Sequence, residues 1–98
     1  MTYQLRIRNA AEADIQEAYK YFEECRHGLG QDFILCLEAS LDKIIKTPNH
    51  YPVIHRNIHR ILVKRFLFGV FFLVEENTVV VLAVMHGSRS PRQWKFRM

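Results

Sequence analysis

Two consecutive apolar segments, GVFFLVE at 69–75 and TVVVLAVMH at 78–86, constrain the fold of this chain most strongly. Their short length and their β-branched and aromatic content are typical of strands, and the EN pair between them predicts a tight hairpin turn. In each segment both alternating sets of side chains are apolar, so the sheet needs cover on both faces. The sets are Val70, Phe72 and Val74 opposite Phe71 and Leu73, and Val79, Val81, Ala83 and Met85 opposite Val80, Leu82 and Val84.

The first half of the chain predicts a cover for one of these faces. TYQLRIR alternates apolar and polar residues, which indicates a strand over 3–8. Asn9 and Glu12 form a candidate capping box, and the helical spacing after them continues to about Arg26, with Gly28 as a left-handed cap. A second apolar stripe predicts another helix that ends at 47–48. Two amphipathic helices joined by a short turn call for an antiparallel hairpin.

The segment between the second helix and the apolar strands has two prolines and little periodicity, which indicates a connecting loop. HRILVKRF at 59–66 then predicts a further strand, and the short turns require antiparallel pairing. The predicted fold is therefore α+β, in the order β-α-α-β-β-β. An N-terminal strand and a helical hairpin on one face of an antiparallel three- to four-stranded sheet form one domain over residues 1–98.

The second face of the sheet is predicted to remain partly open. The C-terminal SPRQWKFRM is short and basic, so it covers only part of that face. The remaining apolar surface is expected to bind a partner, as a helix laid in a groove or a strand added to an edge.

Charge and composition restrict the partners and the location. Residues 1–53 hold six Lys/Arg and eight Asp/Glu, whereas residues 54–98 hold eight and two, so the basic half can attract nucleic acid or an acidic protein segment. No apolar run reaches the roughly 20 residues of a membrane span, and no signal-peptide core is present, which predicts a cytoplasmic protein. Cys25 and Cys36 are expected to be buried free thiols, and no metal or cofactor motif appears.

Several segments, in order along nearly the whole chain, resemble the ParE-type toxins of the ParE/RelE superfamily, the toxic halves of plasmid-stabilising and chromosomal toxin-antitoxin pairs. They are AEADIQEAYKYFEE, GLGQDF, PNHYP, KRFLFGVFF and VVVLAVMHGSRSPRQW. The resemblance implies a cognate antitoxin, whose extended, partly helical segment wraps an apolar groove of the toxin. It also implies an activity: ParE-like members inhibit DNA gyrase by binding it, whereas RelE-like members cleave messenger RNA on the ribosome, and the H-G-x-R-x-P-x-x-W ending favours the ParE-like branch.

An RNA-cleaving site requires an acid, a base and cations beside the scissile phosphate. His86 is the candidate acid or base, with Arg89, Lys64 and Arg65 as the cations. The alternative for His86 is a partly buried imidazole bonded to the backbone. The position where RelE-like enzymes are expected to carry an arginine holds Gly69 or Val70, which counts against the endonuclease and leaves a protein that acts by binding without a cofactor.

Two sets of residues are predicted to bind partners. The target-binding set lies in the basic C-terminal segment, where the alternative is a solvated terminus with Trp94 folded onto the sheet. The antitoxin-binding set lies on the sheet, where ordinary surface charge is the alternative for each cation. A third hypothesis is that the chain is an inert relative of these toxins that binds only its antitoxin. The target-binding residues are Arg89, Arg92, Trp94, Lys95 and Arg97, and the antitoxin-binding residues are Arg60, Leu62, Lys64, Phe71 and Leu73.

Overall fold

A computed structural model of the protein describes residues 2–87 and 91–97. The elements are β1 (Gln4–Ile7), α1 (Asn9–Cys25), α2 (Leu29–Lys46), a 3-10 turn (Pro48–His50), β2 (Val53–His55), β3 (Ile58–Val63), β4 (Phe68–Glu75), β5 (Thr78–His86) and α3 (Pro91–Lys95). The strands form one sheet in the order β1-β5-β4-β3-β2. The helical hairpin of α1 and α2 packs on one face of this sheet. The α+β class and the order of the main elements are confirmed.

The sheet is mixed and has five strands in the described residues. β1 lies parallel to β5, with Gln4 opposite Thr78 and Ile7 opposite Val81, and the other neighbours are antiparallel. The added strand β2 lies in the segment that was predicted to be a loop. It has three residues, which is too few for an alternating pattern to be recognised in the sequence. The turn between β3 and β4 also begins earlier than predicted, at residue 64.

The predicted capping box at the start of α1 is wrong. Asn9 is the first helical residue, Arg8 holds the N-cap position, and no side chain caps the helix. The reason is that β1 continues almost directly into α1. The N–H of Arg8 donates to the carbonyl of Val81 at 3.1 Å, and the carbonyl of Arg8 accepts from the N–H of Glu12 at 3.0 Å. An N-cap residue has an extended backbone, whereas Asn9 is already helical, so its side-chain amide cannot cap the helix.

Gly28 joins the two helices and has the left-handed conformation that the sequence predicts, with φ of 87°. The Glu23 carboxylate accepts hydrogen bonds from the N–H groups of Gly28 and Gly30, each at 3.1 Å. The bond from Gly28 is the main reason why the pKa of Glu23 is lowered. A carboxylate from α1 therefore satisfies free N–H groups at the start of α2, and the connection is shorter than the predicted HGLGQD turn because α2 already begins at Leu29.

A bulge in β5 divides the apolar side chains between the two faces. Phe71 pairs with Ala83 whereas Phe72 pairs with Val81, which leaves Leu82 as the extra residue. Beyond the bulge the alternation is reversed, so the predicted faces of β5 hold up to Leu82 and are wrong after it. The hairpin side holds Val70, Phe72, Val79, Val81 and Val84, and the other side holds Phe71, Leu73, Val80, Leu82, Ala83 and Met85.

The second face of the sheet is closed by the chain itself. Trp94 of α3 is buried on this face together with the second set of β4 and β5 side chains, and Ile54 packs at their margin. The prediction that these apolar residues stay open for a partner is therefore wrong. The five-residue α3 supplies enough cover because a tryptophan alone buries roughly 200 Å² of surface.

Two smaller predictions concern the thiols and the membrane. Cys25 and Cys36 are free, as predicted, but Cys25 is exposed and Cys36 is half-buried, so the expected burial is wrong for Cys25. Across residues 2–87 and 91–97, none of the helices combines the length and the apolar character that crossing a bilayer requires.

Candidate functional site

His86 lies at the end of β5, on the side of the sheet that α1 covers. The bulge at Leu82 places it there, and its ring packs edge-on against Phe68 at 5.5 Å between centroids. A cavity of about 440 Å³ opens beside it. Two carboxylates far away in the sequence, those of Asp14 and Glu17, line this cavity with His86. The structure therefore brings acidic groups close to the imidazole that the sequence around residue 86 does not contain.

Asp14 joins three parts of the molecule. Its carboxylate accepts the N–H of Val84 at 3.0 Å and forms a two-armed ion pair with the Arg97 guanidinium. The Arg8 guanidinium donates to the carbonyl of Arg97 at 2.9 Å. β1 ends opposite Val81 and does not reach Val84, so the Asp14 carboxylate accepts the hydrogen bond that a neighbouring strand would otherwise accept from the Val84 N–H. Sequence reasoning did not identify Asp14, because its partners lie 70 and 83 residues away.

The predicted target-binding set divides into anchoring and exposed residues. The indole of Trp94 stacks on the Phe71 ring, with the centroids 5.0 Å apart and the planes at 21°. Arg97 is tied to Asp14. Arg92 and Lys95 are exposed, and the Phe96 side chain, which was not predicted, is 89% exposed. Arg89 lies outside the described residues.

His55 lies against the anchoring tryptophan. Its ring meets the indole of Trp94 edge-on at 5.9 Å between centroids. Burial lowers the pKa of His55, and the charges of Lys95 and Arg56 lower it further. The His59 ring bonds to the Tyr51 carbonyl through Nδ1 at 2.8 Å. The two histidines therefore support the packing of the second face and the connecting segment.

The predicted antitoxin-binding residues share a region of the second face, but they differ in exposure. Phe71 and Leu73 are buried beneath α3 or beside it. Their role in antitoxin binding stays a prediction. Arg60 is half-buried, whereas Leu62 and Lys64 are exposed. The Arg60 side chain runs over Gly69, where an added Cβ would lie 3.3 Å from its Cδ.

A groove of about 570 Å³ follows the outer edge of β3, between that strand and α2. Its charged lining residues are all basic and come from three elements: Lys43 on α2, Arg60 on β3, and Lys64 and Arg65 in the turn. Arg65 also donates to the Asp32 carboxylate at 3.4 Å and lies over the Phe66 ring. Within the described part of the chain, no carboxylate forms an ion pair with Lys43, Arg60 or Lys64.

The fold is shared with solved toxin structures. A chain of the "Chromosomal ParDE TA system from P. aeruginosa" aligns with a TM-score of 0.78 and 13% identity, covering 87% of this chain and 96% of that one. The isolated RelE toxin of E. coli aligns with a TM-score of 0.67 and 15% identity, covering 96% and 94%. At these identities the likeness shows the fold, which is the one found in ParE and RelE toxins.

Sequence comparison shows to which family of toxins the chain belongs. Toxin ParE2 of Mycobacterium tuberculosis is 26% identical over 92 residues, which cover 93% of this chain and 88% of that protein. The family model described as "ParE toxin of type II toxin-antitoxin system, parDE" matches residues 5–91, and the chain belongs to this family of toxins. The resemblance predicted from the sequence is confirmed.

Proposed function

We propose that this toxin acts by binding DNA gyrase and that a cognate antitoxin neutralises it. The observation that carries the proposal is the environment of Gly69 and Val70 on β4. Both residues are buried, at the positions where a RelE-like endonuclease is expected to carry its arginine. A guanidinium placed there would need compensating partners inside the sheet, because an unpaired buried charge costs several kcal/mol.

One cation of the alternative endonuclease set is also directed elsewhere. The Arg65 guanidinium reaches Asp32 on α2. His86 packs against Phe68 on the hairpin side. This arrangement supports a protein that presents a surface to its target and carries out no chemistry on it.

The proposed gyrase-binding surface is the exposed side of the C-terminal segment. Trp94 and Arg97 fix this segment to the sheet and to α1, which leaves Arg92, Lys95 and the apolar ring of Phe96 facing outward. Exposed aromatic and basic side chains on a fixed support are typical of binding hot spots. Among the described members of the predicted target-binding set, Arg92 and Lys95 are the proposed contact residues, with Phe96 added.

The endonuclease remains the second candidate because of the cavity at His86. A histidine beside Glu17 and the exposed Tyr21 in one cavity is an arrangement that acid–base chemistry can use. The two candidates differ in what His86 must do: a binding toxin needs only the fold around it, whereas an endonuclease needs its proton.

Purified toxin should be assayed side by side with gyrase and with ribosomes translating a defined message. Gyrase binding predicts loss of supercoiling or accumulation of cleaved DNA, with His86→Ala almost as active as the parent protein. Lys95→Glu combined with Phe96→Ala should weaken gyrase inhibition, whereas the matched control Lys20→Glu on α1 should not. Messages truncated at the ribosomal A site, and lost in His86→Ala, would refute the gyrase proposal. Activity in neither assay would leave a protein that only binds its antitoxin.

A further inference from the structure

We propose that the cavity beside His86 binds one guanidinium group, which the protein target of the toxin presents as an arginine side chain. The inference rests on the proposed function, because it adds a contact to the binding of gyrase. The cavity has a volume of about 440 Å³, which lies within the range of roughly 300–1,000 Å³ that is usual for ligand-binding pockets.

The cavity has an apolar floor and a polar rim. Ala18, Val84 and Met85 line it and are buried, so they form the floor. Glu17 and Tyr21 also line it, but both are exposed, and 62% of Tyr21 is accessible. A ligand that combines an apolar stem with a charged head therefore fits this arrangement, because the stem covers the floor while the head reaches the rim.

The charge of the lining selects a cation. The Arg97 guanidinium neutralises the Asp14 carboxylate, since the two form an ion pair. The Glu17 carboxylate forms neither a hydrogen bond nor an ion pair with another described residue. An anion such as a phosphate group would meet this carboxylate, while the arginine that could bind the anion is already engaged. One positive charge, by contrast, pairs with Glu17.

The chemistry of the lining favours a guanidinium over other cations. Within the described part of the chain, no three His, Cys, Asp or Glu side chains lie together in a way that could hold a metal ion. A polyamine would bring a second positive charge, which has no further unpaired carboxylate in the lining and would lie near Arg97. A guanidinium carries a single charge, pairs with a carboxylate through two N–H groups and stacks on aromatic rings, and both Tyr21 and Phe68 supply rings to the lining.

The location of the cavity assigns the arginine to the target. Arg97 belongs both to the lining of the cavity and to the C-terminal segment, so the cavity borders the surface that carries Lys95 and Phe96. A protein that contacts those two side chains can place an arginine in the cavity at the same time. The cavity would then add one anchored side chain to the interface, as is typical of binding hot spots.

The first test is a titration of the isotope-labelled full-length protein with small probes at millimolar concentration. N-butylguanidinium and an arginine capped at both ends should shift the resonances of Glu17, Tyr21 and His86. N-butylurea, which has the same shape without the charge, should not shift them, and spermidine should bind more weakly than the capped arginine.

Variants of the rim separate the contributions of charge and ring. Glu17→Gln should weaken the binding of butylguanidinium about fivefold, as expected for the loss of one accessible ion pair. Tyr21→Leu should weaken it about threefold, whereas Tyr21→Phe keeps the ring and should bind like the parent protein. Glu24→Gln is the matched control, because Glu24 is exposed on α1 and does not line the cavity.

Four results of these experiments would each overturn the proposal. They are equal shifts with butylurea, tighter binding of spermidine than of the capped arginine, shifts at the cavity only with a short oligouridine, and the absence of any shift.

The outcome can be separated from that of the proposed function by testing Glu17→Lys in the gyrase assay. The reversed charge should weaken gyrase inhibition about tenfold, because an ion pair becomes a like-charge pair. If the parent toxin inhibits gyrase and Glu17→Lys inhibits it equally well, the present inference fails and the proposed function stands. If the parent toxin does not inhibit gyrase, the proposed function fails together with the assignment of the arginine to gyrase, and the guanidinium site itself stands or falls with the titration.

Discussion

Replacing Asp14 with alanine should destabilise the protein and release its C-terminal segment together. The carboxylate is 12% exposed and its partner Arg97 is 26% exposed, so this ion pair is largely withdrawn from water. Asp14 also accepts the N–H of Val84, which has no neighbouring strand on that side. One substitution therefore removes three contacts between α1, β5 and the end of the chain.

The size of the effect follows from what each partner loses. The Val84 N–H would lose a charged acceptor at the margin of the sheet, which costs about 1–3 kcal/mol. Arg97 is partly exposed, so leaving its charge unpaired should cost less than the roughly 3–5 kcal/mol typical of a fully buried ion pair that loses one partner. We expect Asp14→Ala to lower the free energy of unfolding by about 2–4 kcal/mol, and Asp14→Asn by about half as much because its amide oxygen can still accept from Val84.

Urea unfolding followed by circular dichroism measures the loss of stability, and Trp94 fluorescence reports the release of α3. A double-mutant cycle with Arg97→Gln should give a coupling energy of about 1–2 kcal/mol. Glu17→Ala is the matched control, because Glu17 lines the same cavity and is exposed. A change below about 0.5 kcal/mol for Asp14→Ala, the range of ordinary surface substitutions, would refute this account of the contact.

Three further outcomes are expected. Leu67 has a φ of 57°, so Leu67→Gly should raise the free energy of unfolding by about 1 kcal/mol, whereas Leu35→Gly on the exposed face of α2 should lower it by a similar amount in the same urea series. Glu23 has a pKa below its ordinary 4.5, so its contribution to stability is present above pH 4.5 and is lost as the pH falls through the lowered pKa; Glu23→Gln should remove that part of the acid dependence of the melting temperature. His55 has a pKa below its ordinary 6.5, so Trp94 packing should weaken as the pH falls below 6.5, and a pH-independent Trp94 fluorescence in this range would contradict the contact between the two rings.

The sequence was sufficient to predict the main elements because their apolar periodicity is strong. The stripes of the two helices and the two-faced character of β4 and β5 carry over directly into the observed layers. Trp94 folded onto the sheet was one alternative and is confirmed, but the full closure of the second face was not predicted because the segment that carries Trp94 is short and basic.

The site was predicted less completely for two physical reasons. In a run where every residue is apolar, a bulge leaves no trace in the pattern, so the position of His86 relative to α1 could not be deduced. Asp14 stands in α1 as one acidic residue among several, and only the folded chain brings it to Val84 and Arg97. Arg60 and Leu62 on β3 and Lys64 in the following turn line one groove because their spacing in the sequence is local, and their role in antitoxin binding stays a prediction.

The surplus residue in β5 decides which side of the sheet the end of this strand presents. If β5 kept all its residues but paired without the bulge, the two-residue period would run unbroken past Val81 and His86 would face the side that carries Trp94. Deleting Leu82, by contrast, would remove the bulge and leave His86 opposite Phe68 on the side of α1. The orientation of His86 therefore depends on the number of residues between Val81 and the strand end, and not on which aliphatic residues they are.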